Sequence, residues 1–328
     1  MSVRFQVMTW NLENLFLTGQ PSGPKTVGIY EQKMNNLATT ILSIGPDVLA
    51  VQEVGDPAAF ADLQQRLQSQ YPYALLSTHP DPRLIRVGFL SRLQLLKSEE
   101  LFDFPDQALT NFTNGQGEPL QHMGRGALKV SVEILKGFTV HVVTAHLKSK
   151  LITYPDGRRF PKNENERARE TGIALLKRTA EAVALRVYIN QLITHTTDPL
   201  ILMGDFNDGP EAVTTQLLLG PEDFSLAKAD KGDDVRLYNL AEYIPPQRRY
   251  SRIYHKQHEL IDHILVNHEL IFRQQKVDSY VEPIESIGEG VETRQKAVFP
   301  DHAPLFAQFE IPELSTVGNS TTAPGSPA

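Results

Sequence analysis

A layered α/β sandwich, with two packed sheets and outer helices, is the fold class the sequence predicts. Short β-rich runs outnumber helical patterns. Several of those runs, VLAV, LILM and HVVTA, are apolar nearly throughout, which implies burial on both faces under other layers. No Pro/Gly/Ser-rich linker interrupts the interior, so residues 1–311 are read as one domain, with the low-complexity stretch 312–328 expected to be a disordered tail.

Arg4–Trp10 opens the chain as a strand, with Trp10 expected in the core. A helical pattern follows over Tyr30–Ile44, then a strand over Asp47–Val54 and a helix over Pro57–Gln70, whose Pro57 suits a first-turn position. Strands are expected over Leu84–Ser91, Ala127–Leu135 and Thr139–His146. A long helix over Asn165–Ile193 comes next. In it Ile173, Leu176, Ala180, Val183 and Val187 recur at three-and-four spacing and predict the buried face. Pro199–Asp205, Arg249–Tyr254, Leu260–Val266 and Pro304–Phe309 complete the strands.

Among 328 residues, 41% are hydrophobic and 22% charged, and no run approaches the roughly 18 apolar residues of a membrane span. Arg4 and Gln6 stand where a secretory leader needs its apolar stretch, so a cytoplasmic address and no stable membrane association are expected. The absence of cysteine excludes disulfide scaffolds, thiol nucleophiles and Cys-ligated zinc. A net charge of −7 excludes coating a polyanion by bulk charge, so such a partner must meet a local basic surface or a metal.

Polar residues gather at the C-terminal ends of apolar strands, where layered α/β folds expose their sites. RFQVMTW runs into Asn11-Leu12-Glu13-Asn14. DVLAVQEV carries Glu53, which must face a cleft or a cation, because a lone buried carboxylate costs several kcal/mol. TAHLKSK places His146 and Lys148 two residues apart beyond an apolar run. LILMGDFNDGP ends in Asp205 and Asn207, a carboxylate able to polarise water and an amide able to hold a phosphate. Taken alone, GDFND is equally well explained as a turn with side-chain-to-backbone hydrogen bonds. LIDHILV and PDHAP each set Asp beside His. Strand neighbours face opposite ways, so Asp262 is expected to pair with His302 across elements, and His263 to be packed without a catalytic role. Asn11, Glu53, Asp205, Asn207 and Asp301 are oxygen donors suited to Mg²⁺ or Mn²⁺. No H-E-x-x-H, phosphate-binding G-x-x-x-x-G-K-[ST], G-x-G-x-x-G or G-x-S-x-G occurs, so zinc hydrolysis, nucleotide-dependent transfer, hydride chemistry and serine hydrolysis lack support.

In order, TWNLEN, VQEV, TAHLKSK, GDFND, LIDHILV and PDHAP resemble the signature of the endonuclease/exonuclease/phosphatase superfamily, the deoxyribonuclease I-like fold. The resemblance spans residues 11–302. It implies four layers, two mainly antiparallel sheets flanked by helices, around one site that hydrolyses phosphodiesters with a divalent cation. Asn11 and Glu53 match the metal-proximal pair, Glu13 an acidic position of some branches, and Asp301 a further metal-side carboxylate. Asp205 and Asn207 match the pair that orients water and phosphate. Asp262 and His302 match the carboxylate–histidine couple. His146 matches the second histidine, and Arg125 in GRGALKV a phosphate-contacting arginine. The acidic partner of that second histidine has no counterpart in DPRLIRVGFLSR, and the disulfides and secretion leader of deoxyribonuclease I are missing.

Two basic stretches flank these motifs. QRRYSRIYHKQH interleaves Arg248, Arg249, Arg252 and Lys256 with Tyr250 and Tyr254, and the loop from Lys148 to the long helix carries Lys150, Arg158, Arg159 and Arg167. With Arg125, Lys148, Arg167, Arg249 and Tyr250 as the expected substrate contacts, the favoured reading is a DNA endonuclease of little sequence specificity. A solvated basic hairpin is the plain alternative for the first stretch. Lipid or small-phosphoester hydrolysis on the same residues, and a non-catalytic binding module, remain open. No protein partner is inferred.

Overall fold

The computed structural model describes residues 2–313 apart from 68, 105–112, 114–116, 153, 155–157, 159, 222–234 and 289–290. The expected tail beyond residue 313 and Arg159 therefore lie outside the described residues. In chain order the elements are β1 (Ser2–Leu15), α1 (Val27–Ile44), β2 (Val48–Val54), α2 (Pro57–Leu67), β3 (Tyr73–Leu76), β4 (Arg86–Ser91), β5 (Lys97–Asp103) and β6 (His122–Leu135). They continue with β7 (Phe138–His146), α3 (Glu164–Ile193), β8 (Leu200–Asp205), α4 (Val213–Leu219), β9 (Leu237–Asn239), β10 (Arg252–Tyr254) and β11 (Gln257–Glu259). β12 (Asp262–Asn267), α5 (His268–Ile271), β13 (Gln274–Ser279), α6 (Val291–Arg294) and β14 (Leu305–Pro312) follow.

Two six-stranded sheets, β13-β14-β1-β2-β4-β3 and β5-β6-β7-β8-β12-β9, pack face to face. Only the β1/β2 and β7/β8 pairs are parallel, so the sheets are mainly antiparallel. The alternation of side chains along each strand sorts the layers. Phe5 and Val7 of β1, Val140 and Val142 of β7, and Ile201 and Met203 of β8 fill the core between the sheets. Met8, Trp10 and Leu12 turn the other way, onto α1 and α2. Leu200, Leu202, Val143 and Ala145 turn onto α3 and α4. The result is a four-layer α/β sandwich. Thr26 caps α1, its hydroxyl accepting from Ile29 N at 3.3 Å, and Gly45 ends it in the left-handed conformation, donating to Ile41 O at 2.8 Å.

Differences from the sequence reading have local causes. The expected strand Arg249–Tyr254 shrinks to β10, which forms a separate two-stranded ribbon with β11 and touches His302 and Ile287 through single bridges. β5 and β13 are polar edge strands that bury few side chains, so they lack an apolar signal. The expected apolar stripe of α3 lies at the edge of its buried face: Ala180 is fully buried, Ile173, Val183 and Val187 are half-buried, and Leu176 is 48% exposed. The buried positions include Ala174, Arg178, Glu181 and Leu185, because Arg178 and Glu181 find fixed partners inside. Hydrophobic periodicity is blind to buried ion pairs. Among the described residues no helix is long and apolar enough to cross a membrane.

Candidate active site

The same alternation that builds the inter-sheet core carries polar side chains onto its rim. Beyond the apolar layer, Thr9, Gln52 and Thr144 form a buried belt in which the Gln52 amide donates to Thr9 Oγ1 at 3.1 Å and Thr144 Oγ1 at 3.0 Å. Two residues beyond Thr9 and Thr144 come Asn11 on β1 and His146 on β7, and Asp205 ends the neighbouring β8. His146 pairs with Asp205 in the β7/β8 register, and Asp205 with Asp262 in the β8/β12 register. Register partners share a face, so the three side chains stand abreast on adjacent strands. Gly204 makes the row possible, since a Cβ there would lie 2.0 Å from Ala145 O. His263, one residue on, points to the opposite face, stacks on Phe206 and contacts Asp208 O at 2.8 Å.

Asp205 is the hub. Its Oδ2 accepts from Asn11 Nδ2 across the sheet interface at 2.9 Å, lies 3.3 Å from His146 Nε2 and 4.0 Å from His302 Nε2. Its Oδ1 accepts from Asn207 N at 2.9 Å, while Asn207, in the left-handed region at φ 56°, donates its amide to Leu147 O at 3.0 Å. His302 enters from the loop before β14. Asp262 Oδ2 lies 2.7 Å from its Nδ1, and Trp10 Nε1 donates to its carbonyl at 2.8 Å.

These contacts set the charges. Burial, reinforced by the Asp262 carboxylate, pushes Asp205 up to about 7. Burial disfavours charge on His302, but Asp262, Asp301 and Asp205 outweigh it and hold the ring as imidazolium, at about 10. His146 goes the other way: burial and the nearby Arg125 and Arg83 keep it neutral. Its Nδ1 is buried without a hydrogen-bond partner among the described residues. Asp81, the only carboxylate in DPRLIRVGFLSR, instead binds Arg125 Nε at 3.1 Å, which accounts for the missing partner of this histidine.

The residues expected to hold a cation divide into two groups. Glu53 leaves the alternation of β2 at φ 61°, where the pairing with β1 and β4 slips, and is placed close enough to Asp205 to raise its pKa. One of its oxygens accepts from Asn14 N at 2.9 Å. Asp301 faces Arg252 Nε only at 3.8 Å. Glu53, Asp301 and the Asn11 amide offer oxygen donors, the chemistry a hard divalent cation takes, although the Asn11 oxygen also accepts from Glu13 N at 2.9 Å. Glu13 is otherwise engaged. Both its oxygens accept from the Arg294 guanidinium and one also from Asp301 N at 3.0 Å, so it braces the loop that carries Asp301. Asp205, Asp262 and His302 also bring ligand atoms within 4.8 Å of one another. Within that cluster His302 Nδ1 is tied to Asp262 Oδ2, which leaves Nε2 turned toward Asp205.

Of the expected substrate contacts, Arg125 and Lys148 adjoin the row. Arg125 lies between Gly124 and Gly126, which allow close approach to Glu181 and Leu101, and donates to Leu147 O at 3.3 Å. Lys148 N donates to Glu181 Oε2 at 2.5 Å. The structure does not bring the others to the site as free cations. Arg167 is bound to Glu164 on the exposed start of α3, Arg249 to the carbonyls of Ile244 and Glu242, and Tyr250 stacks on His258 at 3.9 Å. Arg252 of the same stretch is the member that reaches the site, through Asp301 and a backbone bridge to His302. Glu181, Gln52 and Arg294 escaped the sequence reading; Gln52 sits within the VQEV motif, whereas no pattern marks the other two.

The model of the Endonuclease/Exonuclease/phosphatase family matches residues 8–286, and the chain belongs to this family of nucleases and phosphatases. Solved structures with the same fold include humanized D. rerio TDP2 carrying 14 mutations, at 16% identity and a TM-score of 0.55 over 93% of this chain and 98% of that one. The human Nocturnin catalytic domain with bound sulfate aligns at 16% identity and a TM-score of 0.57, covering 94% and 95%. An endonuclease/exonuclease/phosphatase from Bacteroides vulgatus aligns at 13% identity and 0.57, covering 94% and 100%. No curated protein gives a significant sequence match.

Proposed function

We propose that the chain is a divalent-metal-dependent phosphodiesterase acting on nucleic acid, DNA in preference to RNA, held through its backbone with little base specificity. The observation that carries this reading is the row His146–Asp205–Asp262, closed by His302 and Asn11 from the facing sheet. A carboxylate able to take a proton, an imidazolium and a neutral imidazole around one small volume support in-line attack on phosphorus.

Glu53, Asp301 and Asn11 would hold Mg²⁺ or Mn²⁺, which when bound supplies positive charge beside phosphate oxygens. Asp205 is poised near neutrality to take the proton of an attacking water, with Asn207 fixing its orientation. His302 places its Nε2 charge toward the phosphate, its ring held by Asp262. His146, a neutral imidazole with one N–H to donate, is assigned to the departing oxygen, and Arg125 and Lys148 add cationic grip there.

Supercoiled DNA, RNA and sphingomyelin tested in parallel with either cation decide the substrate. Nicking of the plasmid, abolished in His302→Ala and Asp205→Ala, is the expected outcome; turnover of the lipid alone would overturn it.

A further inference from the structure

A pocket of about 500 Å³ opens beside the row, between α3 and the residues Phe104, Leu120 and His122. Phe104 and Leu120 line it on the strand side, Ile173 and Ala174 on the helix side. Arg83, Arg125, Lys148 and Lys177 bring positive charge to it. Of its described carboxylates, Asp81 is shared by Arg125 and Arg83 and offsets one of their charges, Glu170 is held by Arg169, and Glu181 by the amides of Gly124 and Lys148. Arg125, Arg83 and Lys148 are also the cations that act on His146, so pocket and row share one electrostatic neighbourhood.

A second feature adjoins it. His122, which lines the pocket, stacks on Phe102 at 4.9 Å and 11°, and Phe102 stacks on His79 at 4.2 Å and 9°. The two histidine side chains are 50% and 45% exposed. A flat, solvent-open stack of rings thus leads to an apolar slot whose cations lie next to the phosphate site. Apolar walls accept the π-face of any base without reading its edges.

We infer that this pocket is the subsite for one unpaired nucleotide joined to the scissile phosphate on the His146 side, so that single-stranded or frayed nucleic acid is cleaved in preference to intact duplex. The inference rests on the nucleic-acid reading above. A base within a duplex is stacked on both faces and cannot enter a slot with Ile173 and Ala174 on one side and Phe104 and Leu120 on the other, whereas a splayed base can.

The test has two arms. In the first, a 2-aminopurine deoxynucleotide is titrated by fluorescence into the full chain in chelator. Ala174→Trp, which fills the slot, should weaken binding about tenfold or more, and His122→Ala, an exposed change that leaves the core intact, should weaken it several-fold. Deoxyribose 5-phosphate, which lacks the base, should not compete. In the second, single-stranded and duplex oligonucleotides of one sequence are cleaved with Mg²⁺. The single strand should show the lower KM, and Ala174→Trp should raise that KM while kcat holds. Unchanged affinity in both variants, preference for the duplex, or binding of a single-chain phospholipid in place of the nucleotide would overturn the subsite. Nucleotide binding without any cleavage would sink the hydrolytic reading and keep the subsite; duplex cleavage without nucleotide binding would do the reverse.

Discussion

Asp262 Oδ2 and His302 Nδ1 meet at 2.7 Å across 40 positions of sequence, a buried carboxylate on β12 orienting an imidazole on the loop before β14. Folding raises this histidine's hold on its proton from 6.5 to about 10. Its contribution to stability is therefore complete below pH 6.5 and is lost as pH climbs through about 10. Asp262→Asn should lower Tm at pH 7, flatten the alkaline decline, and cut turnover about a thousandfold or more. Thermal melts from pH 6 to 11 in chelator, with turnover at pH 7, check both.

Asp205 has a linkage of the same sign in a more acidic window. Its pKa rises from 3.8 to about 7 on folding, so the folded state resists ionisation and loses stability as pH rises between those values. Asp205→Asn removes that loss while keeping the shape. Without metal the variant should melt higher than wild type at pH 8 and equally at pH 4, yet turn over about 10²–10⁴-fold more slowly. Equal melting at both pH values would show that the carboxylate is not destabilised by its surroundings.

Lys148, pulled down to about 8 chiefly by burial and then by Arg125, is charged at neutral pH and loses its proton in mild alkali. KM for an oligonucleotide should rise above pH 8, and Lys148→Arg, charged throughout, should flatten that rise. The measurement is KM from pH 7 to 9.5 at constant ionic strength.

Gln52 ties the two sheets together beneath the row. Gln52→Leu leaves the Thr9 and Thr144 hydroxyls without their shared partner and should cost about 1–3 kcal/mol in urea unfolding. Because the belt supports Asn11 and His146, kcat should fall as well.

Gly204→Ala puts a methyl group against Ala145 O between the strands that carry His146 and Asp205. Overpacking of this kind costs about 1–3 kcal/mol, and the forced separation of β7 from β8 should abolish most turnover in a variant that still melts cooperatively.

Much of this was legible in the chain itself. The apolar strands declared themselves because their inner residues alternate or run continuously, and the pairing of Asp262 with His302 followed from the fact that strand neighbours face apart. What stayed hidden depends on geometry that no periodicity records. Glu53 is re-aimed by a bulge, Glu13 is taken by Arg294, and the charges of QRRYSRIYHKQH are mostly bound within the protein, so a basic run in sequence did not make a basic surface. The buried face of α3 was misread for a related reason, since Arg178 and Glu181 are drawn inward by Asp208 and by two backbone amides.

The pairing of β1 with β14 has a consequence for folding. Ser2 lies opposite Pro312 and Thr9 opposite Leu305, so the sheet that presents Asn11 closes only when two segments far apart in the chain have met. His302 stands just ahead of β14 and arrives with it. One long-range encounter therefore completes both the sheet and the cluster at its rim, and contacts of such sequence separation make that step a slow one.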